Sequence, residues 1–344
     1  MKFQVGFFFA FILLIASCCN KKTRIKDTAI HPGHETPIAT LVMPREGETF
    51  ICGDSIRFKF KINPDSLLII DSAVISNSKN IQNKFYSNFE KMSWNSSGAR
   101  VGKNILKVIF YKKERKETHT ISVILTSDIV PYEYKYKVIN KFPHDKQAFT
   151  QGLLYDNGVL YESTGLEGQS TLRIVTIQTG IPVMKINLEN QIFAEGIALF
   201  NDQIYQLTYK SQIGFIYDKK TLQLIRRFDY PIKEGWGLTS DGNHLIMSDG
   251  SAQLYFIEPT YFSQVDQIEV FDNKGMITYL NELEYINGKV LANIWYKNII
   301  VVIDPANGKV TGKLDLDKLI PHEIKQDPNK VLNGIAWNPL TKHI

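Results

Sequence analysis

A short unit recurs five times in the second half of the chain, and the recurrence limits the folds open to it more than any other feature. QGLLYDNGVLYEST (151–164) aligns with EGIALFNDQIYQLT (195–208), WGLTSDGNHLIMSD (236–249), NELEYINGKVLANI (281–294) and NGIAWNPLTKHI (333–344). The second residues fall at 152, 196, 237, 282 and 334, spaced by 44, 41, 45 and 52. Each unit reads as two strands of alternating apolar residues across a turn, as in LLYDNGVLYE with its Asp156-Asn157-Gly158 hairpin signal. The first four are followed by another strand pair: LRIVTIQTGIPVMKINL, IGFIYDKKTLQLIRRFDY, LYFIEPTYFSQVDQIEV and IVVIDPANGKVTGKLDL. Four strands per unit at this period describe propeller blades. The expected fold class is all-β, with a five-bladed β-propeller over 132–344. A sandwich does not repeat so regularly.

The fifth unit has only two strands before Ile344, and YEYKYKVIN (132–140) precedes the first unit without a unit of its own. That segment is expected to supply the outer strand of the fifth blade. The blade is then one strand short, so the domain reads as C-terminally truncated, with an open sheet edge.

At 344 residues the chain is long enough for two domains. Residues 38–128 alternate apolar and polar positions in IATLVMP, SIRFKFKI, SLLIIDSAVI, NILKVIFY and THTISVILT, with KKERKE (112–117) as a solvated hairpin tip. Several strands without helices suggest a small immunoglobulin-like β-sandwich, serving as spacer or docking module. DIVPYEYK (128–135) bridges to the second body. Ahead of both, residues 1–17 have the shape of a secretory signal, too short to span a membrane. Ile15-Ala16-Ser17-Cys18 resembles a bacterial lipobox. The alternatives are lipidation at Cys18 and simple cleavage after Ser17, and the immediate cysteine favours the first. Residues 18–37, polar and containing Pro32 and Pro37, read as a flexible tether. A lipid-anchored, monomeric protein of the bacterial cell envelope is expected.

The net charge of +5 is spread over interleaved acidic and basic residues, which argues against a nucleic-acid partner. Cys18, Cys19 and Cys52 show neither zinc spacing nor a disulfide framework. GxSxG, GxGxxG and P-loop motifs are absent, and HEIKQ (322–326) lacks the second histidine of a zinc protease helix.

In a propeller the first strand of each blade lines the channel. The residues opening the units, Gln151, Glu195, Trp236, Asn281 and Asn333, are therefore expected at one height around the axis. Together they suggest a polar pocket with a single ionisable group. Glu195, close to Phe193 and Gly196, is expected to be partly desolvated, with its pKa raised toward the range of a general acid–base. The bland alternative is that these residues hydrate a narrow channel. A calcium-dependent propeller hydrolase would need more carboxylates there.

The motifs AFTQGLLY, LYESTG, EGIALF, GFIYDKKTL, GWGLTSDG, LNELEYINGKVLANIW and LNGIAW, in this order over 132–344, resemble the plant-type glutaminyl cyclase (glutaminyl-peptide cyclotransferase) family of plants and bacteria. The resemblance implies a five-bladed propeller acting on peptides or proteins with N-terminal glutamine, forming pyroglutamate and releasing ammonia without metal or other cofactor. It implies Glu195 as proton shuttle, and Gln151, Asn281 and Asn293 as hydrogen-bonding groups for the substrate. Phe149, Phe193, Trp236 and Trp295 would be aromatic walls, with Tyr209 where the family usually has tryptophan. The family continues beyond LNGIAW into a strand carrying a lysine of the site, which this sequence does not include. Outside the enzyme class, a membrane-tethered propeller that captures a protein partner is the alternative.

Overall fold

The computed structural model describes residues 36–64, 70–77, 81–325, 327 and 330–344. The expected signal, Cys18 and nearly all of the tether lie outside them. The N-terminal body is all-β. A five-stranded sheet runs in the order β2 (Glu48–Ile51), β9 (Arg115–Thr126), β8 (Gly102–Lys112), β5 (Ser72–Asn77), β6 (Ile81–Phe85). Two small pairs accompany it: β1 (Ala39–Met43) with β4 (Lys59–Ile62), and β3 (Ser55–Arg57) with β7 (Ser93–Asn95). Alternation explains the packing. Leu106, Val108 and Phe110 of β8 point inward at 0% exposure and meet Trp94, Phe58 and Met92. The β8–β9 hairpin is tighter than KKERKE suggested, because the strands run on to Lys112 and from Arg115.

Four antiparallel sheets follow in chain order. They are β11 (Thr150–Asp156), β12 (Val159–Thr164), β13 (Thr171–Thr176), β14 (Ile181–Asn187); β15 (Ala194–Phe200), β16 (Gln203–Thr208), β17 (Ile213–Asp218), β18 (Leu224–Asp229); β19 (Leu238–Ser240), β20 (Leu245–Ser248), β21 (Gln253–Ile257), β22 (Gln264–Glu269); and β23 (Leu280–Ile286), β24 (Lys289–Ile294), β25 (Ile299–Ile303), β26 (Val310–Asp315). Asn157-Gly158, Asn201-Asp202 and Asn287-Gly288 connect first to second strands with φ positive at both residues. These are the turns whose twist matches a two-residue hairpin, and Asn, Asp and Gly tolerate that conformation best.

The sheets pack face to face. Tyr161 and Leu172 of the first meet Ile197, Ile204 and Phe215 of the second. Tyr205 and Phe228 of the second meet Leu238, Leu245 and Met247 of the third. Ile246 and Leu254 of the third meet Leu283, Val290 and Val301 of the fourth. Burying each such side chain is worth about 1.5–3 kcal/mol, so the sheets are joined mainly by these faces. The first strands lie side by side, β11 against β15, β15 against β19, β19 against β23, and β23 back against β11.

Two expectations about the fifth unit are corrected. Residues 333–344 carry no named strand, only a turn with an Asn338–His343 bridge. The segment packs on the fourth sheet, with Ile335, Leu332 and Trp337 against Ile286, Leu291 and Val302. Of residues 132–140, only β10 (Tyr132–Tyr134) is a strand, and it pairs parallel with β26 on the outside of the fourth sheet. Gly312 admits it there, since a Cβ would sit 2.3 Å from the Tyr134 ring.

Residues Ile38–Ile344 form one compact unit. Arg100 forks onto Asp266 (2.7 and 2.6 Å), and backbone bonds Val101–Asn307 and Ser127–Asp272 (3.1 Å each) tie the N-terminal body to the third and fourth sheets.

Candidate active site

The opening residues are set apart by breaks in strand register. Pairing slips between Thr150 and Gly152, between Ala194 and Ile197, and between Leu280 and Leu283. Gln151, Glu195 and Asn281 thus sit in bulges, while Trp236 lies ahead of β19. A bulge frees backbone groups from their own sheet and re-aims the side chain. The freed groups bond to neighbouring units. The Gly196 N–H donates to the Trp236 carbonyl (2.7 Å), and Ser163 Oγ donates to the Glu195 carbonyl (2.5 Å). Ser248 Oγ accepts from the Gly237 N–H (2.8 Å) and donates to the Asn281 carbonyl (2.7 Å). Asn333 Nδ2 donates to Gln151 Oε1 (2.8 Å) and the Thr150 carbonyl (3.1 Å), and Asn293 Oδ1 accepts the Gly334 N–H (3.1 Å). Contacts therefore run from each opening residue's unit to the next around the axis.

Above this ring lies a belt of aromatic side chains. Phe149 meets Phe193 edge-on (6.2 Å between centroids), Phe193 meets Tyr209 (5.7 Å), Tyr209 meets Trp236 (6.4 Å) and Trp236 meets Trp295 (5.1 Å). All five aromatic residues expected from sequence are in it, and Tyr279 and Tyr296 extend it past Trp295. The repeat builds the belt. In three units the residue two before the opening residue accepts a backbone bond from the residue after the second strand: Phe149 from Gly165, Phe193 from Tyr209, Tyr279 from Trp295. Gly165 is glycine for space, since a Cβ would lie 2.4 Å from the Phe193 ring and 3.0 Å from Gln151.

Glu195 is 5% exposed. Burial first, and the nearby Glu234 carboxylate second, push its pKa well above the ordinary value. Tyr230, whose hydroxyl donates to the Thr208 carbonyl, is pushed up to about 12 by burial, and the Glu195 charge adds to the rise. Three buried amide atoms beside the ring have no partner among the described residues: Asn293 Nδ2, a donor, and two acceptors, Asn333 Oδ1 and Gln206 Oε1, the latter on a side chain whose Nε2 donates to Ser163 Oγ (2.8 Å). Their amide orientations are set by the bonds their other atoms make. An unpaired buried donor or acceptor costs about 1–3 kcal/mol, which a polar ligand would recover.

The expected single ionisable group is corrected. Glu234 stands where the other units place Phe149, Phe193 and Tyr279. It accepts the Trp236 Nε1–H (3.2 Å) and pairs with Lys210 (3.5 Å), whose ammonium lies 4.5 Å from the Tyr209 ring centroid. Glu282, next to Asn281, is a further carboxylate at the axis, 0% exposed. Extending the repeat alignment two residues upstream would have exposed Glu234 and Tyr279. Among the described residues no three His, Cys, Asp or Glu side chains gather as a metal site would require.

A family model described as glutamine cyclotransferase matches residues 112–344. The chain is 41% identical over 205 residues to the glutaminyl-peptide cyclotransferase of Arabidopsis thaliana, a match covering 59% of this chain and 64% of that relative's length. The crystal structure of Myxococcus xanthus glutaminyl cyclase superposes with a TM-score of 0.56 at 37% identity, over 60% of this chain and 88% of that one. With more than half of its length matched, the chain belongs to the glutamine cyclotransferase family.

Proposed function

We propose that this protein is a glutaminyl-peptide cyclotransferase, closing the N-terminal glutamine of peptides or proteins to pyroglutamate with loss of ammonia. The observation that carries the reading is a buried carboxylate of raised pKa, Glu195, in the ring of opening residues, next to units that carry the aromatic belt of Phe193, Tyr209 and Trp236. The reaction is an intramolecular acyl transfer. The α-nitrogen attacks the γ-carboxamide carbon, a C–N bond forms, and the tetrahedral oxyanion collapses as the γ-nitrogen leaves. Glu195 takes the proton the α-nitrogen must lose and returns it to the departing nitrogen. A carboxylate of raised pKa suits both halves of that transfer. Gln151, Asn281 and Asn293 hydrogen-bond the substrate, the Asn293 donor being free for a carbonyl oxygen or oxyanion. Phe149, Phe193, Tyr209, Trp236 and Trp295 hold the glutamine chain folded for attack and keep out water, which would give glutamate instead.

We read the four sheets and the docked 332–337 segment as a five-bladed propeller, and the N-terminal body as an immunoglobulin-like sandwich. The N-terminal sequence supports a lipid anchor at Cys18, hence a place at the bacterial cell envelope, and we take the protein separately to be a monomer. The deciding experiment is a coupled ammonia-release assay on a Gln-initiated dipeptide. Wild type turns over, and Glu195→Gln loses about 10²–10⁴-fold in kcat with unchanged circular dichroism. A purely partner-binding propeller would release no ammonia, and near-wild-type turnover in the variant would remove Glu195 from its role.

A further inference from the structure

Four of the five opening pairs end in glycine: Gly152, Gly196, Gly237 and Gly334. At the first three, a Cβ would stand 2.7 Å from Ile197 N, 2.5 Å from Leu238 N and 2.1 Å from the Asn281 carbonyl oxygen. Neighbouring first strands are therefore in backbone contact. The fourth pair, Asn281-Glu282, departs from this. The Glu282 carboxylate is fully buried and spans two elements, with Oε1 accepting the Leu153 N–H of β11 (3.1 Å) and Oε2 accepting the Ile335 N–H (2.8 Å). Two further side-chain acceptors flank it: Glu284 takes the Trp337 N–H (3.0 Å), and Asn293 takes the Gly334 N–H (3.1 Å). Among the described residues the 332–337 segment belongs to no sheet, so these three side chains do what a strand ladder does elsewhere.

We infer that Glu282 is a positioning residue of the site: by holding Leu153 and Ile335 at a fixed separation it sets Asn333 against Gln151 and so shapes the polar wall that receives the substrate. A carboxyl group suits this because each of its oxygens keeps a lone pair to accept with, even as burial and then the Glu284 charge push its pKa well above the ordinary value. A carboxamide has one acceptor and would turn its N–H₂ toward the second backbone N–H. The inference rests on the proposed cyclotransferase reaction only for its kinetic readout.

The test compares the full chain with Glu282→Gln, and with Glu282→Asp, whose shorter side chain cannot reach both amides, should the first fail to fold. Residue-resolved amide exchange and steady-state kinetics on a Gln-initiated dipeptide are measured on each. The expected result is exchange about tenfold faster at Leu153, Ile335 and Trp337, with β16 and β17 still protected. KM rises about tenfold while kcat stays within about threefold, as loss of substrate placement rather than of chemistry requires. Unchanged exchange at Ile335 overturns the inference. So does acceleration spread evenly over all four sheets, which would make Glu282 an ordinary buried acceptor of the fold. If wild type itself releases no ammonia, the proposed reaction fails while the exchange comparison still decides this one.

Discussion

Around the axis, neighbouring first strands meet in two different ways. Between β11, β15, β19 and β23 the joint is backbone on backbone, made possible by Gly152, Gly196 and Gly237. Between β23, the 332–337 segment and β11 the joint is made of side chains: Glu282, Glu284 and Asn293 accept the N–H groups of Leu153, Ile335, Trp337 and Gly334. The first kind tolerates no added atom and is indifferent to pH. The second has room to adjust, but it places carboxylates where water is scarce, so its strength depends on their charge. The proposed site has both in its wall. Glu195 and Trp236 stand on glycine joints, whereas Gln151 and Asn333 depend on the carboxylate joint.

The largest expected effect comes from breaking a glycine joint. In Gly237→Ala the new methyl would lie 2.1 Å from the Asn281 carbonyl oxygen and 2.8 Å from Glu282 Cα, both backbone atoms that cannot swing away. Overpacking of this kind costs about 3 kcal/mol or more, read as a lower denaturation midpoint in urea. An alanine variant as stable as wild type would mean that the strands can separate without loss, and the contrast between the joints would collapse.

How much of this was legible beforehand follows from the range of the signals. The four sheets are built from hairpins of period two, three of them with Asn-Gly or Asn-Asp turns, which are local and can be read residue by residue. Glu195 and Trp236 stand out because the repeat places them at matching positions, whereas Phe149, Phe193, Tyr209 and Trp295 came from the resemblance to the cyclase family alone. The partner of β10 does not stand out, because a parallel pairing with β26 rests on Gly312 far along the chain. The bulges were hidden too, since alternation in sequence looks the same whether or not one residue is left out of register. Glu282 is visible in the alignment as the one non-glycine at its position, yet the two backbone amides that give it a purpose lie 129 and 53 residues away.

A middle-sized effect should come from titrating the carboxylate joint. Burial pushes Glu284 up to about 8 from its ordinary 4.5, against the opposing bond from the Trp337 N–H. A carboxyl whose folded pKa is raised contributes its full stability below the unfolded value, near 4.5, and loses it as pH rises toward 8. Because Glu284 keeps some solvent contact, the loss is discounted to about 2 kcal/mol. Glu284→Gln keeps an acceptor for Trp337 and cannot ionise, so its stability between pH 5 and pH 8 should be flatter than that of wild type. Equal slopes for the two proteins would show that the joint is insensitive to charge.

The smallest effect concerns the glycine side, where the charge near Glu195 comes from Glu234 rather than from the joint itself. Glu234→Gln retains a carbonyl for the Trp236 indole and gives up a partly exposed pair with Lys210, worth about 0–1 kcal/mol, so the fold should hardly notice. The like charge that helps raise Glu195 is removed, however, and its pKa falls toward the usual carboxylate range. The acid limb of the kcat/KM profile for a Gln-initiated dipeptide therefore moves to lower pH, with the plateau within about threefold of wild type. The shift should shrink as salt is added, because a partly exposed charge is screened within a Debye length of about 10 Å at 0.1 M ionic strength. A limb that stays in place while KM rises would assign Glu234 to holding Trp236 alone, and burial would then account for Glu195 by itself.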